Sequence, residues 1–271
     1  MNSVIILTSS DLAIAASLVI LLALLTWCLR LGVSQRLLVA ALRTVVQLLL
    51  LGLVLKYLFD SSHPALILLI AFVMVAIAGR EVMARQQRPF KGLWGYALGT
   101  SSMFVSSFAI TIFSLILIVS PEPWYLPQYS IPLLGMMLGN TMTGVALTMD
   151  SLTSQAWQQR AVIEQRLMLG EDARSAIRDI SRQSLRTGLI PILNAMAAAG
   201  IISIPGMMTG QVLAGSSPMV AAKYQILIMF MISAGTGFAA VLSSWFGAKR
   251  LFDDRQRLRL ERLTAPEGQE K

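Results

Sequence analysis

Apolar stretches alternate with short polar connections along almost the whole chain. A helix needs roughly 17 to 25 apolar residues to cross a hydrocarbon core of ~30 Å. Seven stretches come close to that length: Leu12–Leu29, Leu37–Phe59, Ala65–Gly79, Leu93–Val119, Ile131–Met149, Gly188–Ile204 and Ala221–Phe246. The third is short and needs flanking residues to complete its span. The pattern predicts an all-α fold, a polytopic transmembrane helical bundle of about seven spans within residues 1–248.

Basic residues concentrate in every second connection. Residues 30–36, 80–91, 151–187 and 249–271 hold 19 of the 22 Lys and Arg residues. Because basic connections stay in the cytoplasm, this pattern predicts an outer N-terminus and an inner C-terminus. It also predicts a multi-pass protein of the cell inner (cytoplasmic) membrane. The first stretch follows Asp11 with no Lys or Arg before it, so we expect a retained helix instead of a cleaved signal peptide.

The composition excludes several classes of protein. Hydrophobic residues make up 55% of the chain and charged residues 13%, whereas soluble domains carry about a quarter charged residues. The net charge of +8 comes from the cytoplasmic connections, so nucleic acid is not an expected partner. A single cysteine, Cys28, and a single histidine, His63, leave no disulfide framework and no Cys/His zinc cluster. A catalytic dyad is not expected either, and the chain is not predicted to be an enzyme.

The second span carries an arginine inside the apolar region. Arg43 and Gln47 are four residues apart and share one face of the predicted helix. Arg43 either extends its guanidinium towards the cytoplasmic interface or has a structural or gating role, and the sequence leaves both open. The middle of each predicted span lacks a carboxylate, which disfavours a proton- or sodium-coupled carrier.

Two Pro/Gly-rich segments, Ile131–Asn140 and Ile204–Gln211, are expected to interrupt helices. Each combines a proline with a Gly-x-x-x-Gly spacing, a methionine pair and an amide. The methionine pairs are Met136/Met137 and Met207/Met208, and the amides are Asn140 and Gln211. Such segments either pack helices tightly, with methionine filling gaps, or line a translocation path to which Asn194 would add a third amide. The sequence leaves both readings open.

A polar segment, residues 151–187, is predicted to form a cytoplasmic hairpin of helix, break at Gly170, and helix. Its charges are typical of a solvated face, but the spacing Glu164, Gly170, Ile180 also resembles the E-A-A…G…I coupling loop of ABC permeases. Gln165 and Arg166 replace the two alanines, and the Leu-Pro after the isoleucine is missing. The chain has no G-x-x-x-x-G-K-[ST] phosphate loop, so ATP-driven transport would need a separate ATPase.

Three longer segments resemble the FetB/YbbM permease family, and the resemblance covers about residues 10–250. They are RTVVQLLLLGLVLKYLF (43–59), SIPLLGMMLGNTM (130–142) and SIPGMMTGQVLAGSSPMVAAKYQI (203–226). The family implies the permease subunit of an ABC system for iron export. Its plant relatives are linked to aluminium tolerance, and one pairing is linked to UDP-glucose.

The resemblance also implies an assembly. Two copies of the permease would pair with two copies of a soluble ABC ATPase, which would bind ATP and Mg²⁺, while this chain would need no cofactor of its own. The implied translocation helices carry Arg43, Gln47, Asn140 and the segment Pro205–Gln211. Hard iron prefers oxygen and imidazole ligands, whereas the methionine pairs suit a softer ion, so the metal ligands stay unassigned.

Two other classes of function are compatible with the pattern: a self-sufficient channel or facilitator, and a membrane scaffold or receptor partner. An ABC permease for a nucleotide sugar or another solute is a further alternative. The segment Lys249–Leu263 is predicted as a basic helix that contacts the lipid surface or the ATPase, within a basic cytoplasmic tail, residues 249–271. The sequence does not specify the solute or the direction of transport.

Overall fold

The computed structural model describes residues 8–61 and 63–264, without the side chains of residues 60 and 61. These ranges contain the helices α1 (Ser9–Cys28), α2 (Ser34–Ser61), α3 (Pro64–Ala84), α4 (Leu93–Ser114), α5 (Pro127–Gln158), α6 (Arg160–Met168), α7 (Ala173–Ala198), α8 (Gly206–Leu213) and α9 (Pro218–Arg250). A π-helical turn, Leu115–Val119, extends α4, and a 3-10 turn, Leu260–Arg262, follows α9. Residues 265–271 of the predicted tail lie outside the described residues.

Six helices of the described ranges, α1 to α5 and α9, are long and apolar enough to cross a membrane. The third crossing is completed by flanking residues, because α3 extends five residues beyond the predicted end at Gly79. The prediction of an all-helical membrane bundle is therefore confirmed.

Helix α7, whose first half is polar, also runs between the two ends of the bundle, in the place of the sixth predicted span. At one end of the molecule Ile177 of α7 shares a core cluster with Leu152 of α5. At the other end Ile192 of α7 shares a second cluster with Leu133 of α5. The chain thus returns through α7 to the end from which α5 started, which agrees with about seven spans.

The predicted end of the sixth apolar stretch, Gly188–Ile204, is wrong. The apolar stretch continues to Ile204, but α7 ends at Ala198. Gly200 adopts a φ of +81°, and its amide donates to the carbonyl of Ser203 at 2.9 Å. This tight turn ends the helix because a left-handed residue cannot continue it, and Pro205 then starts α8 as its N-cap.

Helices α4, α5, α7 and α9 form the centre of the bundle, and α3 packs against α4 and α5. Helices α1 and α2 form a hairpin that packs mainly against itself. It joins the rest of the molecule at the outer end, where Leu58 of α2 is buried against Ile67 of α3 and Ile131 of α5. Most apolar side chains of α1 and α2 are exposed, so they face lipid or another protein chain.

Helices α5 and α7 cross closely through two glycines. A Cβ at Gly188 would lie 2.7 Å from the carbonyl oxygen of Gly144 and would collide with the Thr148 side chain. Only glycine permits this approach, as at other small-residue crossings in membranes. By contrast, Gly139, Gly206 and Gly210 of the predicted Gly-x-x-x-Gly pairs face open space. The close helix packing that those pairs could have provided is made by Gly144 and Gly188 instead.

The two Pro/Gly-rich segments have different structures. Helix α5 continues through Pro132, which lies inside the helix, five residues after its first residue, Pro127. The predicted interruption at Ile131–Asn140 is therefore wrong. The second segment does break the helical path, since Pro205 is the N-cap of the short helix α8.

The cytoplasmic hairpin has the predicted form of helix, break and helix. Helix α6 ends at Met168, and Gly170 turns the chain with a φ of +91°. Asp172 then caps α7, because its carboxylate accepts the amide of Ser175 at 3.0 Å.

The segment after α9 is not the predicted basic helix Lys249–Leu263. Helix α9 ends at Arg250. Asp253 accepts the amides of Arg255 at 3.0 Å and Arg257 at 2.8 Å, which closes a turn instead of a helix. Residues 251–264, here called the C-terminal strap, then fold back along the inner end of the bundle. Three apolar side chains of the strap are buried there, namely Leu251, Phe252 and Leu263.

Candidate functional site

The arginine inside the second span has an acidic partner. The guanidinium of Arg43 on α2 forms an ion pair with the carboxylate of Glu81 on α3. Glu81 lies three residues before the inner end of α3, outside the apolar stretch that ends at Gly79. Sequence reasoning missed this partner because the stretch was ended too early. Gln47 is exposed on α2, one turn further from the inner end.

Three of the predicted path residues meet at the outer end of the bundle. A cavity of about 240 Å³ lies between the start of α5, α8 and the start of α9. Met136, Met207 and Gln211 line this outer cavity. Its polar groups also include Gln128, Tyr129, Ser216 and Tyr224. The Oε1 atom of Gln211 is buried and accepts no hydrogen bond from the described residues.

The other predicted path residues lie elsewhere. Met137 is buried in the core cluster shared by α5, α7 and α9. Asn140 is exposed, and its amide donates to the Met136 carbonyl at 2.8 Å. Asn194 is exposed on α7. The Met208 amide donates to Oε1 of Gln225 at 3.3 Å, which attaches α8 to α9. The structure thus divides the predicted set between the outer cavity, the core, the exposed surface and the α2–α3 pair.

A second polar feature, a series of buried hydroxyl groups, was missed by sequence reasoning. These side chains lie on α4 (Ser102, Ser106, Ser107, Thr111, Ser114), α5 (Ser130, Thr141, Thr148, Thr153), α7 (Ser184) and α9 (Thr236, Ser243, Ser244). Some join helices: Ser106 donates to the Gly235 carbonyl at 2.7 Å, and Ser107 and Thr141 are 3.1 Å apart. The spacing of three or four residues along α4 was the available signal.

The predicted coupling residues occupy two different environments. Glu164 and Gly170 are exposed and line a cleft of about 780 Å³ between the hairpin and the C-terminal strap, here called the hairpin cleft. Ile180 is buried in the inner core cluster. The isoleucine therefore anchors α7 to the bundle, while the glutamate and the glycine lie on the exposed surface of the hairpin.

Charges within the hairpin and the strap fix their local geometry. Arg166 of α6 pairs with Asp179 of α7 at 3.1 Å, which holds the two helices together. The hydroxyl and amide of Ser175 lower the pKa of the Asp172 carboxyl by hydrogen bonding. The amide of Arg257, followed by the guanidinium of the same residue, lowers the pKa of Asp253. Both carboxylates are therefore ionised at neutral pH.

No group of three His, Cys, Asp or Glu side chains that could hold a metal ion occurs within residues 8–61 and 63–264. The outer cavity offers thioether, amide and hydroxyl groups instead. An ion that crosses by this route would meet neutral oxygen and sulfur atoms.

Relatives of known sequence cover almost the whole chain. The family described as Uncharacterised protein family (UPF0014) matches residues 9–252. UPF0014 membrane protein slr1647 of Synechocystis sp. is 37% identical over 88% of this chain and 90% of the relative. The Probable iron export permease protein FetB of Escherichia coli is 29% identical over 95% of this chain and 97% of the relative. Protein ALUMINUM SENSITIVE 3 of Arabidopsis thaliana is 32% identical over 85% and 83%, respectively. No solved structure matches the chain.

Proposed function

Since this chain belongs to the UPF0014 family, we propose that it is the membrane-spanning permease subunit of an ABC transporter that exports metal ions, with iron as the cargo, from the cytoplasm. The family assignment confirms the resemblance that three sequence segments indicated. The observation that carries the proposal is the likeness to the Escherichia coli protein named as a probable iron export permease, which extends over 97% of that relative.

Energy would come from a separate ATPase subunit that binds ATP and Mg²⁺. The sequence contains no phosphate-binding loop, and residues 151–187 are too few to form an ATPase domain. The hairpin would transmit motion from the ATPase to the bundle. Glu164 and Gly170 would contact the partner, and the buried Ile180 would pass the movement to α7 and the inner core.

Two copies of the chain would form the complete permease in the inner membrane. The exposed apolar faces of α1 and α2 are available for lipid and for a second copy. The outer cavity with Met136, Met207 and Gln211 would form the outer end of the translocation path. The Arg43–Glu81 pair would hold α2 against α3 at the inner end.

Coupling through the hairpin would be tested with an ABC-type ATPase, for which the neighbouring reading frames are the first place to search. The two chains are co-expressed, purified in detergent and assayed for ATP hydrolysis. The substitution Gly170→Pro should reduce ATP turnover to that of the ATPase alone, because proline cannot adopt the φ of +91° found there.

The outer loop offers a matched control. Gly215 has a φ of +92°, and its amide donates to the carbonyl of Val212 at 3.0 Å. The amide of Gly170 makes the same bond to Leu167 at 3.0 Å. Gly215→Pro should therefore cause equal local strain but leave the ATPase coupled. Equal ATP turnover in the wild type and Gly170→Pro would reject the coupling role, and metal flux in liposomes with this chain alone would favour a facilitator.

A further inference from the structure

The C-terminal strap is bonded to the hairpin. The side-chain Oε1 of Gln256 accepts the amide of Ala173, the first residue of α7, at 3.0 Å. Gln256 has a φ of +58°, a conformation that non-glycine residues rarely adopt. Its own amide donates to the Asp253 carbonyl at 2.9 Å, which supports this conformation. The strap is therefore a fixed part of the inner surface.

The strap is also bonded to the connection between α3 and α4. The Lys91 amide donates to the Arg262 carbonyl at 2.7 Å, and the Thr264 amide donates to the Pro89 carbonyl at 2.9 Å. The Arg262 guanidinium donates to the carbonyls of Arg250 at 2.7 Å and Phe252 at 3.1 Å. The strap thus connects α9, the α3–α4 connection and the hairpin, so a force on any one of them reaches the other two.

An apolar tip projects beside the hairpin cleft. Met168 is 79% exposed and Leu169 is 85% exposed, at the turn between α6 and α7. Met168 itself lines the hairpin cleft, so a partner that enters the cleft would meet this tip.

The charge of the hairpin cleft favours one kind of partner. Four exposed carboxylates line it, those of Glu164, Glu171, Asp172 and Asp254. None of them has an ion-pair partner within the described ranges. Of the two arginines at the cleft, Arg257 is already paired with Asp253 at 2.9 Å, so only Arg255 stands against the four carboxylates. The cleft is therefore acidic, although the chain as a whole carries a net charge of +8. Anionic lipid is repelled by such a surface, whereas a basic protein surface is attracted.

We propose that the hairpin cleft, with one wall from the hairpin and the other from the C-terminal strap, is the docking site for a basic side chain of the ATPase subunit, flanked by apolar side chains that cover Met168 and Leu169. This inference rests on the proposed function, because it assigns a surface to the partner named there. Of the two contacts that the sequence left open for this segment, lipid and the ATPase, it favours the ATPase.

Charge reversal in the full-length chain tests the site. Glu171→Lys and Asp254→Lys lie on opposite walls of the cleft, and both positions are exposed, so the fold should tolerate the change. Each should weaken ATPase binding by about tenfold at low ionic strength, with a smaller effect at ~0.5 M salt. Glu261→Lys is the control. Glu261 is an exposed acid of the strap outside the cleft, paired with Arg259 at 2.7 Å, and its reversal should change the affinity less than about twofold.

A third variant tests the connection between the strap and the hairpin. Gln256→Ala removes the acceptor for the Ala173 amide and should speed hydrogen exchange in residues 169–176 but not in α5.

ATPase binding that is unchanged in Glu171→Lys and Asp254→Lys, or equally weakened in Glu261→Lys, would overturn the docking site while the proposed function stands. A wild-type chain that binds no ATPase would reject the proposed function as well.

Discussion

At the scale of single residues, the ion pair between Arg43 and Glu81 explains how an arginine is accommodated inside a span. The position is about 14 Å along α2 from Ser34, at ~1.5 Å per residue, so an unpaired guanidinium would have to reach for the interface. Glu81 provides a charge-assisted hydrogen bond from the neighbouring helix instead. The pair also fixes the otherwise weakly attached α1–α2 hairpin against α3.

The pair leads to a prediction about stability. Glu81→Gln should lower the free energy of unfolding by about 1–2 kcal/mol, because it leaves Arg43 without an anionic partner. The double variant Arg43→Gln/Glu81→Gln should lose less than the sum of the single variants. Thermal unfolding of the protein in detergent measures both effects.

The control for this pair is Glu164→Gln, which neutralises an exposed carboxylate of the hairpin. It should leave the unfolding temperature unchanged. Additive losses in the double variant would show that the two side chains do not interact in the folded protein.

Residue roles were predicted unevenly because single side chains depend on neighbours that are distant in sequence. Met136, Met207 and Gln211 do share a cavity, since Pro205 places α8 over the start of α5 and α9. Asn194 was grouped with them by residue type alone, yet the structure leaves it on an exposed face. The path role of all these residues remains a prediction.

At the scale of elements, crossings between helices decide the shape of the bundle. Gly144 and Gly188 bring the backbones of α5 and α7 together, and Thr148 fills the adjacent position. The hydroxyl of Thr148 donates to the Gly144 carbonyl at 2.8 Å, so it is satisfied within its own helix. Packing of small side chains, and not a polar bond between the two helices, therefore sets this distance.

Enlarging Gly188 should separate α5 and α7. Gly188→Leu should destabilise the protein by at least about 1–3 kcal/mol, because the new side chain meets the Gly144 carbonyl and Thr148. Gly210→Leu is the matched control in α8, where a Cβ would meet no atom within 4 Å. Size-exclusion profiles and unfolding temperatures in detergent measure the difference. Equal behaviour of the two variants would contradict the close crossing.

The ends of the helices were predictable from the sequence where the length of the apolar stretch determines them. The break at Gly170 was also predictable, since glycine tolerates the left-handed turn between two helices. The conformation of the strap was not predictable, because its arginines are spaced as they would be on a solvent-exposed helix. Asp253 turns the chain by binding two backbone amides, and the buried Phe252 and Leu263 hold the strap in place. Those contacts are made with segments far away in sequence.

At the scale of the whole molecule, the distribution of charge and the fold distinguish the same two ends of the bundle. The connections rich in arginine lie at one end. There Phe90 and Leu263 form an isolated antiparallel β-bridge, and the side chain of Gln256 accepts a hydrogen bond from the first residue of α7. The outer cavity lies at the opposite end. The positive-inside rule then predicts that the first end faces the cytoplasm, where the proposed ATPase would reach the hairpin.

Chemical labelling of single cysteines tests that assignment most directly. The background is Cys28→Ser, to which Met168→Cys at the hairpin tip or Ala214→Cys beside the outer cavity is added, both at exposed positions. With a membrane-impermeant maleimide, the Ala214→Cys protein should be labelled in intact cells, and the Met168→Cys protein only after the cells are permeabilised. Labelling of the Met168→Cys protein in intact cells would place the hairpin outside, away from any cytoplasmic ATPase, and would contradict the account.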